Sequence, residues 1–369
     1  MKNACVVLRN HINISWDDGV QAVIDELFLG GYTMNEVRFL SLSNIENTKK
    51  SLLQLTAEYE NIFVTVERSL LSHATQCLPQ NVLQSQPLAG FGGAGIYHCE
   101  KSDVFLLSCD RTETGCGYVK NACVPFLQKK YGLRFDKIVI RCIGSNASHT
   151  QQLLAEAKRR GEGKIACVHM RKYDEDIIEI VYDNNTPKML ADDLLRWFAE
   201  GFEDTMYALE NVSIERQLVS LLKVRGKKLS VAESFTGGGV AKRIVSVSGA
   251  SEVYFEGVNT YHERSKIKRL GVSSYTLGAM GAVSEKTAYE MALGLLNTGD
   301  CDVAIATTGL AGPKSDRTSL PVGLCYIAVG TKERICVYQY KFDGSREEIT
   351  EKAINYALFL TYKQLKNNM

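Results

Sequence analysis

The residues best suited to chemistry gather towards the C-terminal end of the chain, in three groups. The first, Val231–Gly239 (VAESFTGGG), lies between a strand-like run and a helix-like one. A strand here delivers Glu233 and Ser234 to its C-terminal edge, and the glycines open a helix. The unpaired N–H groups and positive dipole end of that helix suit a phosphate or an oxyanion. The same turn presents a hydroxyl where a carbonyl can be attacked. Its alternative reading is a glycine-rich turn with Ser234 or Thr236 as helix cap. The second group, Asn259–Lys266 (NTYHERSK), supplies an amine that can serve a serine as base once desolvation lowers its pKa. Its alternative is a solvated helix start. The third, Thr307–Pro313 (TTGLAGP), runs on to Pro321-Val322-Gly323 and reads as a tight strand–loop–strand passage. It either lines a pocket or simply turns the chain.

The elements that must hold these groups show in the hydrophobic pattern. Strand Lys228–Glu233, a helix from Gly237–Gly239 and strand Tyr254–Tyr261 come first, then helix Ser284–Asn297 and strand Val303–Thr308. Two antiparallel candidates, Gly323–Gly330 and Arg334–Phe342, precede a last helix opened by the capping box Ser345–Glu348. The first hundred residues alternate in the same way. Strands Ala4–Leu8, Val37–Leu42 and Asn61–Val66 are separated by a helix carrying Val20, Ile24, Leu27 and Phe28, capped by Ser15, and by the helix Asn47–Glu58. This spacing predicts parallel pairing with right-handed crossovers. Gln76–Tyr97, with Gly92-Gly93, reads as loop, and Val104–Cys109 as a further strand. Between them and the C-terminal part, strands and helices over residues 137–200 suggest a small α+β module.

Composition bounds the function. With 369 residues, 45% hydrophobic and 23% charged, the chain is globular and has material for two or three domains. A net charge of +1 speaks against a general nucleic-acid binder. No apolar run reaches the length of a membrane span, and the N-terminal stretch turns polar too soon for a signal peptide. The 11 cysteines form no C-x-x-C pair, and several sit in apolar runs, so they read as reduced thiols of a cytoplasmic protein.

Taken together, the three C-terminal groups resemble the C-terminal domain of the competence/damage-inducible CinA family, shared with nicotinamide-nucleotide amidohydrolases. That family's A-E-S-x-T-G-G stands here at Ala232–Gly238, and its T-Y-x-x-x-x-K-x-x-L-G-V at Thr260–Val272. G-A-V-S is at Gly281–Ser284, T-G-x-A-G-P at Thr308–Pro313, P-V-G at Pro321–Gly323 and G-x-R at Gly344–Arg346. The resemblance implies hydrolysis of the carboxamide of nicotinamide mononucleotide to nicotinate mononucleotide and ammonia. It assigns the nucleophile to Ser234 and its basic partner to Lys266, with Tyr261 nearby. Glu233, Thr236, Gly237, Gly238, Thr308, Gly309, Ala311 and Gly312 are expected around the substrate, and Arg346 on its phosphate. The N–H groups of Phe235–Gly238 are candidates for the oxyanion. His262 is expected at the surface. No metal or organic cofactor is required, and the implied partners are a small-molecule nucleotide and a second copy of the chain. The alternative is a non-catalytic nucleotide-binding or regulatory protein. Residues 314–320 (KSDRTSL) depart from the family by lacking its glycines, and offer Lys314 and Arg317 as other phosphate partners.

The resemblance also sets the layout: a molybdopterin-binding-like α/β domain over 1–128, a KH-like α+β module over 129–208, and an amidohydrolase domain with a mixed sheet over 209–369. The front domain reads as degenerate. After Asn61–Val66 the chain has Glu67–His73 (ERSLLSH) where the family carries G-G-L-G-P-T-x-D-D, and Arg9–Ser15 lacks G-x-E-L-L-x-G. Pyrophosphate hydrolysis needs carboxylates to hold a divalent metal, so that activity is expected to be lost. Asp17-Asp18 reads as a helix first turn. The module has no G-x-x-G loop, Gly144–Ala147 included, so RNA is not an expected partner.

Overall fold

The computed structural model describes residues 1–10, 18–78, 83–84, 94–99, 101–109, 117–313 and 319–367. The expected Ser15 cap, the Gly92-Gly93 run and residues 314–318 lie outside them. The chain divides into two compact units: Met1–Lys137 with Val181–Ala191, and Ile138–Ile180 with Asp192–Met369.

The first unit alternates as the pattern requires. It runs β1 (Asn3–Arg9), α1 (Asp18–Leu29), β2 (Glu36–Ser41), α2 (Ile45–Glu58), β3 (Asn61–Val66), α3 (Leu71–Gln76), β4 (Leu83–Gln84), β5 (Gly95–Cys99), β6 (Ser102–Ser108) and α4 (Val124–Tyr131). The sheet order is β2-β1-β3-β6-β5-β4. The first four strands are parallel, and β5 and β4 add antiparallel edges. The centres of β1 and β3, residues 4–8 and 62–64, are apolar runs because both their faces are covered. Leu52, Leu55 and Leu71 of α2 and α3 pack on one face, and Val23, Leu27 and Leu127 of α1 and α4 on the other. The α2 start is held by Asn44, whose side chain accepts from the Asn47 N–H. The strand β5 replaces part of the expected loop. Ile96 and Tyr97 suit a strand, but five residues are too few to mark one by pattern, and β5 forms because β6 offers it an edge.

A small four-stranded sheet follows, built from β7 (Phe135–Ile143), α5 (Ala147–Arg160), β8 (Ile165–Lys172), β9 (Glu175–Asp183), α6 (Lys188–Gly201) and β10 (Met206–Ala208), in the order β10-β7-β9-β8. Tyr173 and Asp174, both left-handed at φ 52° and 58°, make the two-residue turn between β8 and β9.

The rest of the second unit runs α7 (Ile214–Val224), β11 (Leu229–Glu233), α8 (Gly239–Val245), β12 (Tyr254–Asn259), α9 (Glu263–Leu270), α10 (Ser274–Met280), α11 (Glu285–Leu296), β13 (Val303–Gly309), β14 (Leu324–Thr331), β15 (Ile335–Lys341) and α12 (Arg346–Asn367). Its mixed sheet has the order β12-β11-β13-β14-β15. The first three strands are parallel, and the last two return antiparallel. Large and small residues alternate along the central strands. Val231, Ile305 and Ile327 meet Leu218 of α7, Val240 of α8 and Leu358 of α12. Ala232, Ala304, Ala306 and Ala328 face α11 through Ala288 and Met291. The result is a three-layer α/β arrangement in both units. At the start of α12 the Ser345 N–H donates to Glu348 Oε2 at 2.7 Å and the Glu348 N–H to Ser345 Oγ at 3.3 Å, the capping box read from the sequence. The β8–β9 turn leans on this helix: Tyr173 Oη donates to Glu347 Oε1 and Asn355 Nδ2 to the Tyr173 carbonyl, each at 2.9 Å.

The ten described cysteines are free thiols. Burial pushes Cys5 and Cys325 up to about 12, which leaves them protonated and inert. No described helix is long and apolar enough to cross a membrane.

Candidate active site

Three parallel strands end side by side, with Glu233 of β11 in register with Asn259 of β12 and Thr307 of β13. Loops at the carboxyl edge of such strands are where an open α/β sheet carries its ligands. Ser234 follows β11 directly. Its N–H donates to the Thr307 carbonyl, and its own carbonyl accepts from the Gly237 N–H. The chain must then reverse into α8 within a few residues. Gly237 and Gly238 do this at φ 62° and 98°, a backbone that a side chain would strain. The Ser234 hydroxyl is left in a recess, with the residue 7% exposed.

Lys266 enters from the first turns of α9 and is 1% exposed. Its Nζ lies 3.0 Å from Ser234 Oγ, 2.7 Å from the Thr260 carbonyl oxygen and 3.4 Å from that of Tyr261. Burial pulls the ammonium down from 10.5 to about 8, against a weaker opposing pull from Glu263. A neutral amine has two N–H donors and one lone pair. With the two carbonyls taking the donors, the lone pair is left facing the Ser234 hydroxyl. The backbone thereby orients the amine to accept a proton.

Glu233 is turned inward. Its carboxylate accepts four hydrogen bonds, from Thr236 Oγ1 at 2.7 Å and from the N–H groups of Gly238, Val240 and Ala241 at 3.0, 3.1 and 2.9 Å. The N-terminus of α8, expected to be open to an anion, is filled by this side chain. Thr236 Oγ1 also lies 2.7 Å from Thr307 Oγ1, so the hydroxyls tie β13 to the turn. Glu233 and Thr236 thus brace the Ser234 loop, with no carboxylate oxygen left bare for a ligand. The N–H groups of Phe235 and Thr236, by contrast, carry no acceptor among the described residues. They are the donors left for an oxyanion from the expected Phe235–Gly238 set.

The third group shapes the neighbouring wall. Gly309 lies so close to β14 that a Cβ there would stand 2.5 Å from that of Cys325. Thr308 Oγ1 donates to the Ala282 carbonyl at 2.7 Å, which fastens this strand end to the Gly281–Ser284 turn. Ala311 packs with Phe235, Cys325 and Phe342, and Gly312 turns at φ 79°. Arg346 Nη1 donates to the Gly312 carbonyl at 2.7 Å, so the arginine reaches this loop from the start of α12. Its other guanidinium donors have no partner among the described residues.

The structure therefore joins Ser234 to Lys266, and Arg346 to the Gly309–Gly312 loop. It does not bring the Tyr261 phenol to either of the first two: that side chain is 65% exposed, and the carbonyl of the residue is what Lys266 meets. His262 is exposed and caps α9, its Nδ1 accepting from the Arg264 N–H. Thr260 and Thr307 stand within the second and third groups but were given no role of their own from the sequence. One acts through its carbonyl and the other through its hydroxyl. Among the described residues, no three His, Cys, Asp or Glu side chains gather as a metal site would.

Comparison with known proteins converges on this region. A family model described as the CinA C-terminal domain matches residues 211–365. A putative competence-damage inducible protein of Caldicellulosiruptor saccharolyticus is 34% identical over 248 residues, covering 66% of this chain and 60% of that protein. The chain thus matches somewhat under two thirds of the length of that relative. The solved structure of the competence/damage inducible protein CihA from Agrobacterium tumefaciens is 32% identical over 43% of this chain and 99% of its own, with a TM-score of 0.40. A molybdopterin biosynthesis protein from Mycobacterium abscessus matches 36% of the chain and 96% of its own at 12% identity and a TM-score of 0.28. With the family model spanning the Ser234, Lys266 and Arg346 segments, and curated relatives so named, residues 211–365 form a CinA C-terminal domain.

Proposed function

We propose that the second unit hydrolyses the carboxamide of nicotinamide mononucleotide, releasing ammonia through an acyl-enzyme on Ser234. The observation that carries this reading is the 3.0 Å approach of a buried, partly neutral Lys266 amine to the Ser234 hydroxyl. A serine hydroxyl is a weak nucleophile until a base takes its proton. As Oγ bonds to the amide carbon, its proton passes to Lys266 Nζ. The carbonyl oxygen becomes an oxyanion beside the Phe235 and Thr236 N–H groups, where fixed donors are most effective. Collapse breaks the C–N bond, and Lys266 returns the proton to the departing amine, giving ammonia. Water, deprotonated by the same amine, then cleaves the ester and restores Ser234. Arg346 holds the phosphate at the mouth of the site. The N-terminal unit keeps its fold without pyrophosphatase chemistry.

The test is ammonia release from nicotinamide mononucleotide by the purified chain in EDTA, beside Ser234→Ala. Release by the wild type and none by the variant is expected. If neither releases ammonia while the nucleotide still raises the melting temperature of both, the site binds without catalysing and the proposal fails.

A further inference from the structure

The turn between β8 and β9 carries an unusual residue at its tip. A two-residue turn with positive φ at both central positions favours Gly, Asn and Asp. The chain places Tyr173 and Asp174 there, at φ 52° and 58°. A bulky side chain in the left-handed region is an outlier, and it persists where its surroundings hold it. Behind the tip, the Gly144 N–H donates to the Asp174 carbonyl. Arg171 Nη2 donates to the Ser145 carbonyl at 3.0 Å and to Asp174 Oδ1 at 3.4 Å. The turn is thus anchored to the residues that lead into α5, and it holds the tyrosine from a fixed base. The Lys172 ammonium stands 4.8 Å from the ring centroid and steadies the ring further.

What this arm meets is α12. The phenol donates to Glu347 Oε1, and Asn355 Nδ2 donates to the Tyr173 carbonyl, each at 2.9 Å. Bonding to the carboxylate raises the phenol above its usual pKa, so it remains a donor at alkaline pH. Arg346 stands immediately before Glu347, and Glu348 follows. That order sets one guanidinium beside two carboxylates, which disfavours a phosphate if the acids can swing towards it. Both are held. Glu348 Oε2 accepts from the Ser345 N–H at 2.7 Å, and Glu347 is taken by the tyrosine. The Arg346 guanidinium bonds the Gly312 carbonyl and no carboxylate among the described residues.

We infer that Tyr173 is a positioning residue for the substrate's phosphate. By holding Glu347, it keeps that carboxylate off the Arg346 guanidinium and away from the phosphate's own charge. The inference rests on the reading of Arg346 as the phosphate-binding cation. Tyr173 acts through Glu347 alone, so it governs affinity for phosphorylated substrates and leaves the chemical step as it is. Like charges several ångströms apart in water repel enough to change an affinity a few-fold.

The experiment compares KM and kcat for ammonia release from nicotinamide mononucleotide and from the dephosphorylated nucleoside. Tyr173→Phe keeps the ring and removes the donor. It should raise KM for the nucleotide roughly threefold to tenfold, with kcat and the nucleoside's KM unchanged. Glu347→Gln removes the charge itself and should keep the nucleotide's KM at or below that of the wild type. In the Glu347→Gln background, Tyr173→Phe should have no further effect, an outcome that a role in bracing α12 does not produce. The inference is overturned if Tyr173→Phe leaves the nucleotide's KM unchanged, if it raises the nucleoside's KM equally, or if its effect persists beside Glu347→Gln. The same variants carried on Ser234→Ala, with affinity for the nucleotide measured by calorimetry, give the comparison without turnover. Absence of ammonia release by the wild type therefore refutes the proposed reaction, whereas an affinity indifferent to Tyr173→Phe refutes this role.

Discussion

Replacing Lys266 by methionine should abolish ammonia release and, at the same time, remove a pH-dependent strain from the folded protein. The lysine is 1% exposed, and burial draws its ammonium from 10.5 down to about 8. Between those two values the unfolded chain holds a proton that the folded protein has released, so stability rises with pH across that window. Integrating between pH 7 and pH 9.5, the wild type gains about 2 kcal/mol relative to a chain without the amine. Methionine fills nearly the same space with an unbranched apolar chain. It leaves the Thr260 and Tyr261 carbonyls without their donor, a loss of about 1 kcal/mol each that does not vary with pH. The difference between the two proteins, rather than the absolute stability of either, therefore reports the buried charge. Urea unfolding of both chains at pH 7, 8 and 9.5, followed by circular dichroism, measures it. The first unit lacks Lys266 and supplies an internal reference for general effects of pH. Parallel stability curves for the two proteins would refute the assignment of Lys266 as a desolvated amine, and with it the proposed base.

Further outcomes follow from the same geometry. The kcat/KM for amide hydrolysis should rise with pH to a plateau through an apparent pKa near 8, and stand roughly a hundredfold below the plateau at pH 6; a profile falling through that range would exclude a neutral-amine base. Glu233→Gln exchanges one of two acceptor oxygens for a donor that faces N–H groups. It should lower the stability of the second unit by about 2–4 kcal/mol, read as a drop in melting temperature, and reduce kcat by displacing Ser234. Arg346→Ala should raise KM for nicotinamide mononucleotide roughly tenfold or more, while the dephosphorylated nucleoside is turned over equally by both proteins. Equal KM changes for the two substrates would assign Arg346 to holding the Gly312 loop alone.

Much of the framework is legible in the sequence because burial writes itself into residue type. β1 and β3 are covered on both faces, and their centres, residues 4–8 and 62–64, are apolar without a break. β11 and β13 alternate large and small residues because one face meets three helices and the other packs closely on α11. The capping box at Ser345 is carried by side chains and can be read directly, whereas the Ser234–Lys266 pair rests on the family resemblance, since the residues alone leave a capped turn and a solvated helix start open. What escaped depends on backbone or on neighbours. The strand β5 needs the edge that β6 supplies, and the three-residue β10 needs β7. Lys266 is oriented by the carbonyls of Thr260 and Tyr261, and every residue has a carbonyl, so no letter marks these two. The inward turn of Glu233 was hidden for a related reason. A carboxylate ahead of a glycine-rich helix start fits a ligand contact as well as a brace, and only the four donors around it decide between them.

The filled N-terminus of α8 also fixes how the reaction responds to ions. With Glu233 spent on the helix, the nucleophile and base of the proposed reaction exchange a proton between themselves: hydroxyl and amine become oxyanion and ammonium, and the total charge inside the recess does not change. Dissolved salt acts by screening charges that are exposed and separated, and finds none created in this step. Arg346 stands in the opposite position, since the phosphate contact proposed for it at the mouth is open to solvent. Raising the ionic strength should accordingly loosen the grip on the substrate and leave the speed of its conversion, once bound, where it was.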